Sequence, residues 1–263
     1  MSRIAAAFER CKSEGRLALI AYLTVGHPRL DVTPELVRVA AASGADLIEL
    51  GIPFSDPLAD GRTIQAASQA ALRGGVTVRK ALEAAAAARA LSDVPMLFMT
   101  YLNPILAFGQ EAFCRAAKQA GIDGLIVPDL PPAEATELRR HAQESGLELV
   151  FFVAPTSSPD GISAACSAST AFVYCIAVTG VTGARQSLDP AVLPLIESVR
   201  LKTSLPVVVG FGISLKVHLD ALEGHADGAI IASALLDEIS KAPETAPEQV
   251  ARFLMPLRRL GRR

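Results

Sequence analysis

The sequence has no apolar run long enough to cross a bilayer and no cysteine pair at CxxC spacing. Its longest apolar stretch covers residues 17–23, whereas a membrane-spanning helix needs about 20 residues. Residues 1–15 mix charged with apolar positions, unlike a secretory signal. The four isolated cysteines are most simply buried free thiols in a reducing compartment. We therefore expect a soluble, cytoplasmic protein.

Strong charge of one sign is also lacking. The 25 basic and 27 acidic residues give a net charge of -2 and are interspersed. Nothing resembles the basic stripe that binds a nucleic-acid backbone or an anionic membrane. Because 51% of the 263 residues are apolar, the chain can bury one large core. We expect a single domain, residues 1–263, that binds small molecules or proteins.

A repeating alternation of short apolar runs and longer amphipathic segments dominates the chain. Each run is followed by ten or more residues whose apolar positions recur at spacings of three and four, which is typical of helices. The predicted strands cover residues 18–25, 47–50, 96–99, 124–127, 149–153, 172–176, 207–209 and 229–231. Continuous apolar runs indicate parallel strands that are covered on both faces.

Eight such units favour a closed α/β architecture, the (β/α)8 TIM barrel, with an open doubly wound sheet as the alternative. An extra N-terminal helix at residues 2–13 precedes the first strand, and we expect it to cover the bottom of the barrel. Three units share an Asp at the start of the strand, in the phrases SGADLIEL, AGIDGLIV and HADGAII, which indicates a common tight turn.

Glu49 is the leading candidate for acid/base chemistry. It interrupts the otherwise apolar segment LIELGIPF, and a carboxylate that points into a barrel is costly to ionise. Ligand chemistry in such barrels belongs to the carboxyl ends of the strands. The alternative is a structural carboxylate that pairs with a cation or caps a loop amide.

A second carboxylate, Asp60, follows in the loop SDPLADGRTIQ. Asp is common at helix N-caps, so Asp60 or its neighbour Asp56 could simply cap the next helix. Two carboxylates over one end of a barrel would instead suit acid/base chemistry at two ends of a small substrate.

Loops that contain glycine and other small residues after the last three strands predict a phosphate site. GVTGAR follows the sixth strand, GFGIS follows the seventh, and IIASALL spans the end of the eighth. Backbone N–H groups in such loops, together with a helix N-terminus, bind anions. The candidate ligands are Gly183, Gly212 and Ser233.

Two aldolase chemistries are disfavoured. No lysine lies in a predicted strand or at its carboxyl end, where a Schiff-base enzyme would hold its amine. No two histidines share a strand end at the spacing of metal ligands. Only His27 lies near the predicted site, and we interpret it as a solvated loop residue.

The sequence resembles the tryptophan synthase alpha subunit family over essentially its whole length. The matching phrases are IELGIPFSDPLADGRTIQAAS, TYLNPI, DGLIVPDLPPAE, VAPTS, GVTGAR and VGFGIS, in family order after the opening AYLTVGHP. The first phrase is highly specific because it joins both carboxylates. The resemblance implies a TIM-barrel lyase that splits indole-3-glycerol phosphate into indole and glyceraldehyde 3-phosphate by a retro-aldol reaction, with no cofactor in this chain.

The resemblance also implies a role for each site residue. Glu49 would protonate the indole ring carbon and deprotonate the glycerol hydroxyl, while Asp60 would stabilise or receive the proton of the indole nitrogen. Residues 177–189 would form a mobile lid that brings Thr182 to Asp60. The indole end would involve Tyr22, Ile64, Tyr101, Pro128, Tyr174, Thr182 and Phe211. The phosphate would be bound by Gly183, Phe211, Gly212, Ala232 and Ser233.

A partner follows from the same resemblance. The beta subunit of tryptophan synthase would receive indole through an internal channel within an αββα heterotetramer, and pyridoxal phosphate would belong to that subunit. Contacts would involve Pro53 and Asp56 in the loop after the second strand, and residues 103–108.

Three positions depart from the family pattern. Arg62 stands where Pro is frequent, Ala232 replaces the usual Gly before Ser233, and Val178 occupies a lid position that often carries a polar residue. None of these changes removes a catalytic group. Two other functions stay open: a phosphate-binding barrel that mainly activates a partner, and a free-standing lyase that releases indole. The phrase DPLADG disfavours an unrelated phosphate-binding barrel such as an isomerase.

Overall fold

A closed barrel of eight parallel strands forms the centre of the molecule. The computed structural model describes residues 1–176, 190–210, 213 and 216–257. The strands are β1 (Ala18–Thr24), β2 (Leu47–Gly51), β3 (Met96–Met99), β4 (Gly124–Ile126), β5 (Glu148–Val153), β6 (Val173–Ile176), β7 (Val207–Gly210) and β8 (Gly228–Ile231). Each strand pairs with the next in chain order, and β8 pairs with β1. The predicted TIM barrel is therefore confirmed, and the open sheet is excluded.

Helices surround this barrel. They are α1 (Arg3–Ser13), α2 (Thr33–Ala42), α3 (Arg62–Arg73), α4 (Val78–Leu91), α5 (Leu102–Phe108), α6 (Gln110–Gln119), α7 (Thr136–Ser145), α8 (Pro159–Ala168), α9 (Val192–Arg200), α10 (Lys216–Leu222), α11 (Ser233–Lys241) and α12 (Ala246–Leu254). Single 3-10 turns cover Leu30–Val32, Pro243–Thr245 and Met255–Leu257. Within the ranges described above, no helix combines the length and apolarity needed to traverse a bilayer.

Every predicted strand is present, and the ends differ by one residue at seven of them. β2, for example, continues to Gly51 because Gly51 still pairs with Thr24 of β1 and Met99 of β3. Such ends depend on the register of the neighbouring strand, which periodicity along one segment does not contain. The predicted loop after β3 is shorter than expected, since α5 begins at Leu102 and holds Pro104 in its first turn, where proline is tolerated.

Helix α1 covers the amino-terminal end of the barrel, as predicted. The ring of Phe8 lies 5.8 Å from that of Phe172, just before β6. A Cβ atom at Gly228, the first residue of β8, would lie 3.3 Å from Phe8, and one at Gly124, the first residue of β4, would lie 3.4 Å from Ile4. The small residues at these strand starts therefore let α1 pack closely beneath the barrel.

The three Asp residues of the shared turn phrase have one structural role. Asp46, Asp123 and Asp227 each accept a hydrogen bond from the first part of the preceding strand. The donors are the N–H groups of Leu19, Met96 and Val207, at 3.0, 3.0 and 2.8 Å. Each carboxylate also binds an arginine, namely Arg16, Arg89 and Arg200. These bonds link neighbouring strands at the end of the barrel opposite the predicted site, where such features contribute stability.

Asp46→Ala is expected to lower the free energy of unfolding by about 3 kcal/mol, because it removes two hydrogen bonds from the nearly buried Arg16 guanidinium and leaves the Leu19 N–H without its acceptor. Burial opposes ionisation of Asp46, but hydrogen bonds from Arg16 and Leu19 outweigh it and hold its pKa below the ordinary value. This stabilisation is thus present above the pKa of the unfolded chain and is lost as the pH falls through the lower folded-state pKa. Urea unfolding at pH 7 and pH 3 measures both effects.

Asp31→Ala provides the matched control. Asp31 is exposed and pairs with the exposed Arg29, so its removal is expected to leave the free energy of unfolding unchanged within error. Equal effects of the two substitutions would contradict a special role for Asp46.

Candidate active site

Glu49 lies on β2 with its side chain inside the barrel. It pairs in register with Tyr22 of β1 and Leu97 of β3 and is 1% exposed. Its Oε2 atom has no hydrogen-bond partner in the described part of the chain. Burial, and to a lesser degree the charge of Asp60, raise the pKa of the carboxyl to about 8. Glu49 is therefore protonated at neutral pH. Its Oε2 atom neither pairs with a cation nor accepts from a loop amide within the described residues, so the alternative structural role is not supported.

Asp60 lies in the loop between β2 and α3, and it does not cap the helix. Gly61 occupies the N-cap of α3, which has no side-chain cap bond, so the N-cap interpretation is wrong for both Asp60 and Asp56. The Oδ1 atom of Asp60 is buried without a partner in the residues that the structure describes. Burial raises the pKa of Asp60 to about 6, and a hydrogen bond from Tyr101 partly offsets that rise.

Side chains on both flanks hold the segment that carries Asp60. The Tyr101 hydroxyl accepts a hydrogen bond from the Ala59 N–H at 3.0 Å, and its ring centroid lies 5.3 Å from that of Phe54. On the other flank, Gln65 Nε2 donates to the Asp60 carbonyl oxygen at 2.9 Å. Gln65 could not be identified from the sequence, because a glutamine in the first turns of a helix carries no signal of its own.

Two tyrosine side chains each pack over a glycine at the carboxyl end of the next strand: Tyr22 of β1 over Gly51 of β2, and Tyr174 of β6 over Gly210 of β7. A Cβ atom at Gly51 would lie 2.0 Å from the Tyr22 hydroxyl oxygen, and one at Gly210 would lie 2.2 Å from that of Tyr174. Burial first, and then the nearby carboxylates Glu49 and Asp60, raise the pKa of both phenols well above the ordinary value. The two tyrosines therefore stay neutral. Because Glu49 and Asp60 both affect their pKa values, the tyrosines lie close to the two carboxyl groups.

Gly51→Ala is expected to lower turnover at this site at least about tenfold, because the added methyl group forces the Tyr22 ring away from Glu49. Thermal unfolding should also shift to lower temperature. Gly161→Ala, in the first turn of α8, is the control: its Cβ atom would meet only the Ser158 hydroxyl at 3.3 Å, so activity should stay within twofold of the unmodified chain. A fully active Gly51→Ala variant would contradict this packing.

The other predicted site residues divide into described and undescribed positions. Ile64 is buried on α3, and Pro128 is partly buried after β4. Ala232 follows β8 directly, and Ser233 is the first residue of α11; both are partly buried. Four predicted residues, Thr182, Gly183, Phe211 and Gly212, lie outside the described residues, as do Val178 and the rest of the predicted lid at 177–189.

Two expectations about single residues are settled by the local structure. Arg62 is the first residue of α3 after an extended Gly61 (φ −74°, ψ 166°), a helix position that proline also favours, so the departure leaves the turn intact. His27 is not a fully solvated loop residue: its Nε2 atom lies 3.0 Å from the Ser240 hydroxyl on α11, its Nδ1 atom is buried, and burial lowers its pKa.

Metal chemistry has no candidate site among the described residues, where no group of three or more His, Cys, Asp or Glu side chains could hold an ion. The described part of the chain includes every lysine, and none of them lies within a strand. The groups that the structure brings together are thus two carboxyls and three tyrosines, which suits proton transfer.

Comparisons with known proteins identify the family. Residues 8–261 match the family model for the tryptophan synthase alpha chain. The alpha chain of Chloroflexus aurantiacus is 49% identical over 244 residues, covering 92% of each chain, and that of Roseiflexus castenholzii is 45% identical over 260 residues, covering 98% of this chain and 100% of its own. The chain belongs to the tryptophan synthase alpha chain family.

Solved structures agree with this assignment. A chain of Mycobacterium tuberculosis tryptophan synthase superimposes with a TM-score of 0.92 at 37% identity, covering 100% of this chain and 99% of that one. The tryptophan synthase alpha subunit of Legionella pneumophila gives 0.87 at 32% identity, covering 98% and 97%. As a member of the tryptophan synthase alpha chain family, the chain is a lyase (EC 4.2.1.20) that cleaves indole-3-glycerol phosphate for tryptophan synthesis. The family reaction needs no cofactor in the alpha chain.

Proposed function

We propose that Glu49 and Asp60 carry out the cleavage as a coupled pair of carboxyl groups. The observation that supports this most strongly is that each has a buried oxygen atom without a protein partner in the described residues, Glu49 on β2 and Asp60 in the loop that follows β2. Buried polar atoms are rarely left unpaired unless a ligand or water satisfies them. The charge of Asp60 also raises the pKa of Glu49, so the two carboxyls are close enough to interact.

The two pKa values divide the chemistry between the groups. At pH 7, Glu49 is protonated and Asp60 is ionised, since their pKa values are about 8 and about 6. Protonated Glu49 delivers its proton to the indole ring carbon that bears the glycerol chain. Ionised Asp60 accepts the hydrogen bond of the indole N–H and stabilises the positive charge that forms there.

The second half of the reaction uses Glu49 in its ionised form. Having lost its proton to the ring, Glu49 removes the proton from the glycerol hydroxyl next to the bond that breaks. The electron pair of that O–H bond forms the aldehyde carbonyl, the carbon–carbon bond breaks, and its electron pair returns to the ring, giving indole and glyceraldehyde 3-phosphate. Glu49 ends protonated, ready for the next turnover.

The remaining predicted residues supply binding in this proposal. Backbone N–H groups near Ser233, at the start of α11, favour a phosphate because they point outward from a helix N-terminus. The proposed phosphate ligands are Gly183, Phe211, Gly212, Ala232 and Ser233. The proposed indole pocket consists of Tyr22, Ile64, Tyr101, Pro128, Tyr174 and Phe211, with Thr182 reaching Asp60.

We also propose that the beta subunit of tryptophan synthase binds at the loop after β2 and at α5, in an αββα heterotetramer. Two large apolar side chains are exposed on these elements, Leu58 (92%) and Leu106 (50%), and Asp56, two residues before Leu58, is exposed too. Exposed apolar side chains that form a contiguous surface are typical of protein contacts. Solved relatives from M. tuberculosis are described as tryptophan synthase.

The number of domains and the cellular location are two further proposals. We propose that residues 1–263 form one domain, which the single continuous core of the described residues supports. We propose a cytoplasmic location, which the four free, buried cysteines support.

A single assay tests the proposed function. Indole release from indole-3-glycerol phosphate is measured for the chain alone and with an added beta subunit. Slow release alone and faster release in the complex supports the proposal. Full-speed release alone would favour a free-standing lyase, and tight substrate binding with no release under either condition would favour a subunit that only activates its partner.

A further inference from the structure

The loop after β4 contributes a carboxylate to the start of α5. The Leu102 N–H, the first of α5, donates to Asp129 Oδ1 at 2.9 Å. Tyr101 occupies the N-cap and makes no side-chain cap bond, since a phenol ring cannot fold back to accept from its own helix. Free N–H groups at a helix start need an acceptor, and a negative charge suits that end of the helix dipole. Asp129 therefore acts as a cap supplied from another loop.

Asp129 is itself held in a fixed turn. The Leu130 N–H donates to the Val127 carbonyl at 3.2 Å, which closes a turn around Pro128 and Asp129. Two prolines, Pro131 and Pro132, follow in the chain and restrict its backbone. The carboxylate of Asp129 is thus presented to α5 from a stiff segment at the carboxyl end of β4.

The residue next to this cap is the one that holds the Asp60 segment. The peptide that joins Tyr101 to Leu102 contains the N–H that Asp129 binds, so the bond fixes the main chain from which the Tyr101 side chain extends. That side chain is 3% exposed, its hydroxyl accepts from the N–H of Ala59, the residue before Asp60, and it lowers the pKa of the Asp60 carboxyl. An uninterrupted series of contacts therefore runs from Asp129 to Asp60.

We propose that Asp129 is a positioning residue for Asp60, acting through the start of α5 and the Tyr101 hydroxyl. This inference extends the proposed function, in which Asp60 accepts the indole N–H. It gives the loop after β4 a part in the reaction through the bond from the Leu102 N–H to the Asp129 carboxylate. Because α5 is also a proposed contact of the partner subunit, a shift of α5 on assembly would reach Asp60 along the same route.

The test measures the titration of Asp60 directly. The chain is labelled with 13C at the aspartate carboxyl carbons, the Asp60 signal is assigned by its loss in Asp60→Asn, and its pKa is followed by NMR. Among the residues that the structure describes, the titratable groups that interact with Asp60 are Glu49 of β2, Tyr22 of β1, Tyr101 and Tyr174 of β6. All of them remain present in the Asp129 variants, so a change reports the position of Tyr101.

Asp129→Ala is expected to raise the pKa of Asp60 by about half a unit, because a weakened hydrogen bond from Tyr101 stabilises the carboxylate less. Asp129→Asn keeps an acceptor oxygen and should restore the original value. Tyr101→Phe should raise the pKa at least as far, and adding Asp129→Ala to it should produce no further rise, since both act through one hydroxyl. Glu134→Ala, which removes an exposed carboxylate five residues later, should change nothing.

The activity readout is separate. Asp129→Ala should lower kcat for indole release about threefold while KM stays within a factor of two, because an orienting contact acts on the chemical step. The proposal is overturned if Asp60 titrates identically in Asp129→Ala and the unmodified chain, or if the alanine effect persists in full in the Tyr101→Phe background. If the unmodified chain released no indole, the proposed function would be refuted, but the role of Asp129 would still be tested, since the NMR titration needs no turnover. Asp129→Glu keeps the charge but misplaces the acceptor, and it provides the same test if the alanine variant does not fold.

Discussion

Glu49→Gln is expected to lower kcat for indole release by at least about 10³-fold while the dissociation constant of indole-3-glycerol phosphate stays within about threefold. The amide has nearly the shape of the protonated carboxyl that burial favours at neutral pH, but it can neither give a proton to the indole ring nor take one from the hydroxyl. Single-turnover measurements at saturating substrate separate this loss of chemistry from a loss of binding.

The same substitution, which lowers activity, is expected to raise the free energy of unfolding at alkaline pH relative to the unmodified chain. The pKa of Glu49 is raised from 4.5 to about 8 in the folded chain, so its contribution to stability is fully present below the unfolded pKa and is lost as the pH rises through the folded value. The substituted amide does not titrate, and the stability of Glu49→Gln relative to the unmodified chain should therefore increase from pH 5 to pH 8. Turnover within tenfold of the original, with intact folding, would show that Glu49 is not the acid.

Asp60→Asn is expected to lower kcat about 10²-fold with little change in KM. The amide oxygen can still accept the indole N–H, but it lacks the negative charge that balances the protonated ring. Steady-state kinetics at pH 7.5, where Asp60 is ionised because its pKa is about 6, measure the full effect.

Asp160→Asn is the matched control for this substitution. Asp160 is an exposed carboxylate in the first turn of α8, at the same end of the barrel, and its replacement should leave kcat within twofold. If both variants lost activity equally, the effect would reflect the general negative potential of this face and not a contact of Asp60.

The barrel could be predicted from sequence because its signals are local. Each strand is a continuous apolar run, and burial of every residue in β1, β2 and β3 agrees with that pattern. The shared Asp turns were also visible, but their bonds to the N–H groups of preceding strands were not, because those bonds join residues about 20 to 30 positions apart.

The site was predicted less completely than the fold. Glu49 stands out in sequence because a carboxylate inside an apolar strand is costly, whereas Asp60 alone looked like an N-cap, and only the position of Gly61 as the cap removed that interpretation. The family resemblance supplied Tyr22, Tyr101 and Tyr174. Neither the room that Gly51 leaves for Tyr22 nor the bond from Leu102 to Asp129 has a sequence signal, since both depend on how separate strands and loops meet.

The pH dependence of kcat/KM for indole release tests the central claim most directly. At neutral pH one of the two interacting carboxyls is protonated, with a pKa of about 8, and the other is ionised, with a pKa of about 6. The expected profile is therefore bell-shaped, rising through about pH 6 and falling through about pH 8. Because the two groups interact, both apparent pKa values describe the pair and not one residue each. The substrate phosphate also titrates near pH 6, so the alkaline limb is the diagnostic one. A fall in kcat/KM through about pH 8 is the predicted result, and a profile that stays level or rises from pH 7 to pH 9 would contradict the account.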